Sequence, residues 1–383
     1  MERIYLDHAA TTPLHPVVIK EMMAVMESQY GNPSSIHSFG REARQILDET
    51  RQELADSIGA KPNNIILTSG GTEADNFAVI GYAETNRKKG KHIITTQVEH
   101  HAVLHSCQEL EKRGFDVTYL PVDGEGLVKP EAIQDALRED TILVSVMLGN
   151  NEVGTIQPIA EIGQFLSSHQ AAFHTDAVQA YGILRLNVDE LKVDLLSVSA
   201  HKINGPKGLG FLYIRDGIAL SPRSFGGDQE RKRRAGTENV PAIAGFREAA
   251  RIASEGLEEK QGIYQNFKTI LIESLKKNEI SFEVNGSLAK GLPHVLNLSF
   301  PGTNVEAMLV NLDLAGIAVS SGSACTAGSI DPSHVLVAMF GKDSERLKNS
   351  IRFSFGLNNT AEQVEKAAAE TARIIKRLTR RQV

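Results

Sequence analysis

Residues 197–210 read "SVSAHKINGPKGLG", an apolar run that ends in a lysine and a glycine- and proline-rich turn. With the residues before it, "DLLSVSA" (194–200) is continuously apolar rather than alternating, as expected of a strand covered on both faces. "GLGFLYI" (208–214) resumes as a second strand of the same kind. Lys202 therefore stands at the mouth of a buried strand. A desolvated lysine amine loses affinity for its proton and can act as a Schiff-base nucleophile. On spacing alone, a lysine capping a strand end in water is an equal reading.

Outward from this point the same grammar repeats. "NIILTSGG" (64–71) leads into a helix from Thr72, and "HIITTQ" (92–97) into one from about His100. "FDVTYLPV" (115–122), "TILVSVML" (141–148) and "AAFHTDA" (171–177) are further strands. Strand-helix alternation on this scale implies an α/β fold with a mostly parallel sheet wrapped by helices. Residues 34–58 predict an amphipathic helix with Ile36, Phe39, Ala43, Ile46, Thr50, Leu54 and Ile58 on its apolar face. From Pro241 to about Lys277 the pattern is almost wholly helical. Beyond it, "FEVNG", "HVLNLSF", "GIAVSS" and "IRFSFG" are short strands around helices at about 304–315 and 360–380, a smaller α+β unit. The first dozen residues are extended and suit either unit. The division adopted is a large domain over 15–257, and a small one formed by 1–14 with 258–383.

Composition excludes several classes. The chain has 383 residues, two of them cysteine, and a net charge of −6, which argues against broad binding to nucleic-acid phosphate. Its start, "MERIYLDHAATTP", lacks the apolar core of a signal peptide, and no window reaches the roughly 18 apolar residues of a membrane span. A disulfide framework is not expected, and a reducing cytoplasm is. The basic clusters Arg231–Arg234 and Lys376–Arg381 read as solvated surface.

Other stretches carry chemistry. In "HTDAVQA" (174–180), Asp176 ends a strand and Gln179 follows it; a carboxylate there suits a protonated pyridine nitrogen or, in the plainer reading, helix N–H groups. "TSGGTEADN" (68–76) passes from strand to helix through two glycines and a threonine, a cup for phosphate but not a Walker loop. "VEHHAVLHSC" (98–107) offers His100, a candidate to stack on a ring and shuttle protons. His101 and His105 lack a third ligand at a natural spacing, so no metal site is expected. Cys107 falls on the apolar face of that helix and reads as buried and inert. Cys325 lies in "SSGSACTAGS" (320–329), among small residues that build no apolar wall. That setting suits a free, mobile thiol.

A lysine, an aspartate and a phosphate cup, each after a strand, suggest a fold-type-I pyridoxal-phosphate enzyme. The strings "YLDHAATTP", "GNPSSIHSFG", "SGGTEADN", "EHHAVL", "NNEVGTIQPI", "HTDAVQA", "SAHKINGPKG", "RAGTENV", "SSGSACT" and "IRFSFG" run in order along the chain. Together they resemble the cysteine desulfurases of the NifS/IscS type. The resemblance implies a seven-stranded sheet in the large domain, pyridoxal 5'-phosphate as cofactor, L-cysteine as substrate and a homodimer. It implies Lys202 as the Schiff-base lysine and Asp176 on the pyridine nitrogen. Gln179 would meet the phenolic oxygen, and His100 the ring face. Gly71, Thr72, Ser199 and His201 would hold the phosphate, with Thr237 reaching in from the other subunit. Arg352, aided by Asn151, would clamp the substrate carboxylate. Cys325, on a loop at about 320–332, would take the sulfur as a persulfide, with His100 or a cationic environment favouring its thiolate. An acceptor protein, an iron–sulfur scaffold or a tRNA-thiolating enzyme, would follow.

Within "GGDQERKRRAGTEN" (226–239), Asp228 and Lys232 depart from the glycine expected in many relatives, a change expected to be tolerated. Selenocysteine lyases and class V aminotransferases share the fold and are the rival activities. A non-catalytic assembly platform ranks last, because Lys202 and Cys325 are both present.

Overall fold

The computed structural model describes residues 3–321 and 332–380. Strands β1 (Ile4–Tyr5), β2 (Ile65–Thr68), β3 (His92–Thr96), β4 (Asp116–Leu120), β5 (Thr141–Ser145), β6 (Ala172–Asp176), β7 (Leu195–Ser199) and β8 (Gly210–Ile214) precede the helical stretch. β9 (Glu283–Asn285), β10 (Val295–Ser299), β11 (Ile317–Ala318) and β12 (Ser350–Ser354) follow it. Seven strands form the main sheet in the order β2-β8-β7-β6-β5-β3-β4. β7, β6, β5, β3 and β4 run parallel to one another, while β8 is antiparallel to both β2 and β7.

Continuous apolarity in the strands has the expected cause. On one face Leu67, Ile94, Val144, Phe173, Leu196 and Phe211 pack into a core shared with helices Ser38–Asp56 and Val240–Glu255. On the other, Ile66, Ile93, Leu143, Ala172, Leu195 and Leu212 pack with Phe77, Val103, Cys107 and Leu110. Alternate side chains of each strand thus enter different cores, so neither face is polar. Cys107 is wholly buried, and burial pushes its thiol pKa up, away from the reactive range. A third core joins β10 and β12 to helices Leu257–Lys277 and Ala361–Arg380.

Two boundaries differ from the sequence reading. The amphipathic helix starts at Ser38, where the His37 imidazole accepts a hydrogen bond from Gly40 N, so Ile36 lies outside it. Ile36 is 92% exposed and Phe39 46%, so neither belongs to the apolar face. The helical stretch 241–277 is two helices, Val240–Glu255 and Leu257–Lys277, parted at Gly256. β1 pairs in parallel with β11, Ile4 opposite Ile317, and Asp7 bridges to Ser354, which binds the first residues to the last strands. Among the described residues no helix is long and apolar enough to cross a membrane.

The basic stretch 231–234 is more than solvated surface. β2 is an edge strand, and an edge leaves backbone groups without a ladder partner. Glu230 Oε2 accepts from Leu67 N at 3.0 Å, while Arg51 Nη1 donates to Ile65 O at 3.0 Å. Arg51 and Glu230 pair with each other at 2.5 Å, both buried. Arg234 pairs with Glu73 at 2.8 Å, and Asp228 with Lys232 as an exposed pair at 3.6 Å. The two unusual residues of this segment therefore face each other in solvent, where such a pair contributes little. Glu230→Ala strands Arg51 in a buried site and is expected to cost about 3–5 kcal/mol. A drop in the urea unfolding midpoint measures it, with Asp228→Ala unchanged as the comparison.

Candidate functional site

Parallel β6 and β7 point their carboxyl ends to one side, the position at which open α/β sheets bind ligands. There a cavity of about 360 Å³ opens between the strand ends, the first turn of helix Gly71–Asn76 and the N-terminal stretch. Gly71, Thr72, His100, Asn151, Asp176, Gln179, Ser199, His201, Lys202 and Arg352 all line it. Ten residues singled out in the sequence thus meet at one place.

Lys202 follows β7 on a short 3-10 turn, Ala200–Lys202. Its Nζ donates to Ala9 O at 2.5 Å and Ala10 O at 2.7 Å. Removal from water, then the nearby Arg352 charge, brings its pKa down to about 8, against the opposing pull of Asp7 and Asp176. A sizeable share of the amine is therefore unprotonated near neutral pH. Asp176 is buried and accepts from Val178 N at 2.8 Å; burial raises its carboxyl to about 6. Gln179 donates from Nε2 to Ala9 O at 2.9 Å.

The strand-to-helix turn of "TSGGTEADN" is closely packed against the cavity wall. Gly70 has φ +145°, a conformation that disfavours any side chain. A Cβ on Gly71 would stand 2.7 Å from Val178 Cγ2, which is itself on the cavity wall. The hydroxyls of Thr72 and Ser199 have no hydrogen-bond partner among the described residues. His201 meets Thr11 Oγ1 at 3.1 Å, and burial with the Lys202 charge lowers its pKa to about 4.

Arg352, on β12, is 4% exposed. Its Nη1 donates to Asn151 O at 2.8 Å and its Nη2 to Asp7 Oδ1 at 2.8 Å, while Nε has no partner among the described residues. His100 caps helix His101–Lys112, its Nδ1 accepting from Ala102 N at 3.1 Å. With Nδ1 engaged as acceptor, the neutral ring carries its proton on Nε2. Burial and then the Lys202 charge lower its pKa to about 4, so at neutral pH it is a donor rather than a base. His101 stacks on His105 at 5.0 Å and on His334 at 4.5 Å. Among the described residues no group of three His, Cys, Asp or Glu is placed to hold a metal.

Two singled-out residues stand apart. Thr237 is exposed on the 226–239 segment and does not line this chain's cavity. Cys325, with the expected mobility of its loop, lies outside the described residues. Residues the motifs did not single out include Asp7, Ala9, Ala10 and Asp75, all of which contact the site residues or line the cavity. Three of these belong to "YLDHAATTP", which acts through the Ala9 and Ala10 carbonyls and the Asp7 carboxylate; its string of unusual residues was the available signal.

The family model for class-V aminotransferases matches residues 4–367. The chain belongs to the class-V aminotransferase family. Within it, the chain is 61% identical over 379 residues to a putative cysteine desulfurase IscS 1 of Bacillus subtilis, covering 99% of this chain and 100% of that one. Among solved structures, a NifS-like protein superposes with TM-score 0.91 at 37% identity, covering 98% of this chain and 100% of its own. A structure of SspA in complex with cysteine matches with TM-score 0.81 at 36% identity, covering 92% of this chain and 98% of that chain. A seven-stranded, mostly parallel sheet with helices on both faces is thus the architecture of this class-V member.

Because the Lys202 amine titrates at about 8, its capture by an aldehyde and borohydride should rise through that pH. An ordinary lysine would rise near its unperturbed value of about 10.4. Mass spectrometry of the labelled peptide across pH 6–11 checks the midpoint.

Proposed function

We propose that this protein is a pyridoxal-phosphate-dependent cysteine desulfurase, converting L-cysteine to L-alanine and delivering the sulfur to Cys325. The observation that carries the reading is the convergence of Lys202, Asp176, Gln179 and Arg352 on one cavity at the strand ends. The residues fit the cofactor: two unpartnered hydroxyls beside a glycine turn, a buried carboxylate and a desolvated amine. When bound, pyridoxal phosphate supplies the electron sink for breaking bonds at the substrate's Cα.

In this reading Gly71, Thr72, Ser199 and His201 hold the phosphate. Asp176 faces the ring nitrogen, Gln179 the phenolic oxygen and His100 the ring face. Lys202 binds the cofactor in the resting enzyme, and its Nζ, once free, takes the substrate's Cα proton. Arg352 receives the substrate carboxylate with help from Asn151, and must share itself with Asp7, which already occupies Nη2. Sulfur transfer forms a bond from Cys325 Sγ to the substrate sulfur as the substrate's Cβ–Sγ bond breaks. That electron pair stays with Cβ, which takes a proton to become the methyl of alanine. His100, a donor at neutral pH, leaves the cationic surroundings of Lys202 and Arg352 as the support for a thiolate.

The same reading makes the enzyme a cytoplasmic homodimer in which Thr237 reaches the site of a second copy. It assigns residues 15–257 to cofactor binding and residues 1–14 with 258–383 to the unit that bears Cys325. An acceptor protein, an iron–sulfur scaffold or a tRNA-thiolating enzyme, collects the sulfur.

Holoenzyme given L-cysteine and a reductant is expected to yield alanine and sulfide in equal amounts. Lys202→Ala should yield neither and lose the yellow colour, while Cys325→Ser keeps the colour and loses sulfide release. Full sulfide release by Cys325→Ser overturns the persulfide route, and a keto acid in place of alanine overturns the desulfurase reading in favour of transamination. Arg352→Lys, which loses the planar fork, should raise KM for L-cysteine about tenfold in steady-state kinetics.

A further inference from the structure

His294 opens "HVLNLSF", just before β10, and the reading above gives it no part. It is 5% exposed, and its Nε2 makes a long hydrogen bond of 3.4 Å with Gln179 Oε1, a residue 115 positions away. The chain around it is tied down. Buried Lys268, on helix Leu257–Lys277, donates to Leu292 O at 2.5 Å, and Phe355 N donates to His294 O at 2.9 Å. The Tyr264 ring packs beside the imidazole, centroids 6.3 Å apart. An amide that follows β6 is thus met by a side chain carried at the mouth of a different sheet.

The partners decide which atoms donate. Ala9 O can only accept, so the end of the Gln179 amide that meets it at 2.9 Å is Nε2, and the other end is the oxygen. That oxygen can only accept in turn, so His294 Nε2 carries a proton. Burial, then the charges of Lys268, His8, Lys202 and Arg352, bring the imidazole's pKa to about 3, so it orients the amide without adding a charge. Its Nδ1 has no partner among the described residues, and the ring lines a cavity of about 20 Å³ with His8, Tyr264 and Lys202, room for about one water. A single bond at Ala9 lets the amide swing about that contact, because the last torsion of a glutamine is broad. A second bond at the oxygen fixes the amide plane and leaves one N–H of Nε2 for a ligand. Resting on the assignment of Gln179 to the phenolic oxygen, we propose that His294 is a positioning residue for Gln179, holding the amide oxygen back so that this N–H faces the cofactor.

The test reads the pH midpoint of the holoenzyme's visible band. An N–H on the phenolic oxygen favours its anion, so losing that N–H raises the midpoint. Gln179→Ala should raise it by about one pH unit, roughly a tenfold change in proton affinity. His294→Phe removes the donor, keeps a ring in place and should raise the midpoint by about as much, with the double variant no higher than Gln179→Ala alone. His294→Gln, whose amide N–H reaches the place of Nε2, should stay within about 0.3 pH unit of wild type. His294→Leu serves the same purpose if the Phe variant fails to fold. A wild-type midpoint in either variant overturns the role of His294, and so does a double variant whose shift is the sum of the two. An unmoved midpoint in Gln179→Ala overturns the phenolic-oxygen assignment itself, and the role of His294 falls with it.

Discussion

The site depends on a few carbonyl oxygens at the start of the chain. Ala9 O accepts from both Lys202 Nζ and Gln179 Nε2, and Ala10 O accepts from Lys202 as well. Asp7 takes one arm of Arg352, and Thr12 Oγ1 donates to His201 O. An extended segment, anchored by Ile4, Leu6 and Ala9 in the core around β10 and β12, therefore sets the position of the amine, the amide and the guanidinium together. Backbone carbonyls suit this task. They satisfy an ammonium without adding a countercharge, so the amine stays hydrogen-bonded while its proton affinity falls.

Electrostatics in the cavity follow from the same dryness. Burial, then repulsion from Arg352, lowers the lysine, and burial with the Lys202 charge lowers His201 and His100. The carboxyls move the other way, raised by burial at Asp176, Asp75 and Glu99. The amine and the carboxyls are drawn toward the neutral range, while the imidazoles are pushed away from it and stay uncharged at neutral pH. Such shifts gather at functional sites.

Much of the fold was legible because its strands are buried on both faces, so "DLLSVSA" and "GLGFLYI" stand out without help from periodicity. Lys202, Asp176 and Thr72 were legible because chemistry in such sheets gathers at strand ends. The N-terminal wall was less so: an extended segment acting through its carbonyls leaves no side-chain signature. Ile36 keeps helical spacing ahead of His37, where the helix is capped, so periodicity overran its boundary, while Phe39 lies within the helix but off its buried face. Asp75 shares a helix with Thr72, and a motif read for phosphate drew the eye away from it. Thr237 is exposed in one chain, and spacing within that chain holds no information about a second copy.

The parallel pairing of β1 with β11 has a consequence for how the molecule is made. Ile4 meets Ile317, and Asp7 meets Ser354, so these residues find their partners across nearly the whole length of this sequence. Contacts of such sequence separation close late and slowly. The carbonyls that hold Lys202 and Gln179 are therefore placed by pairings with the far end of the chain, and the site is completed by long-range contacts rather than by local structure.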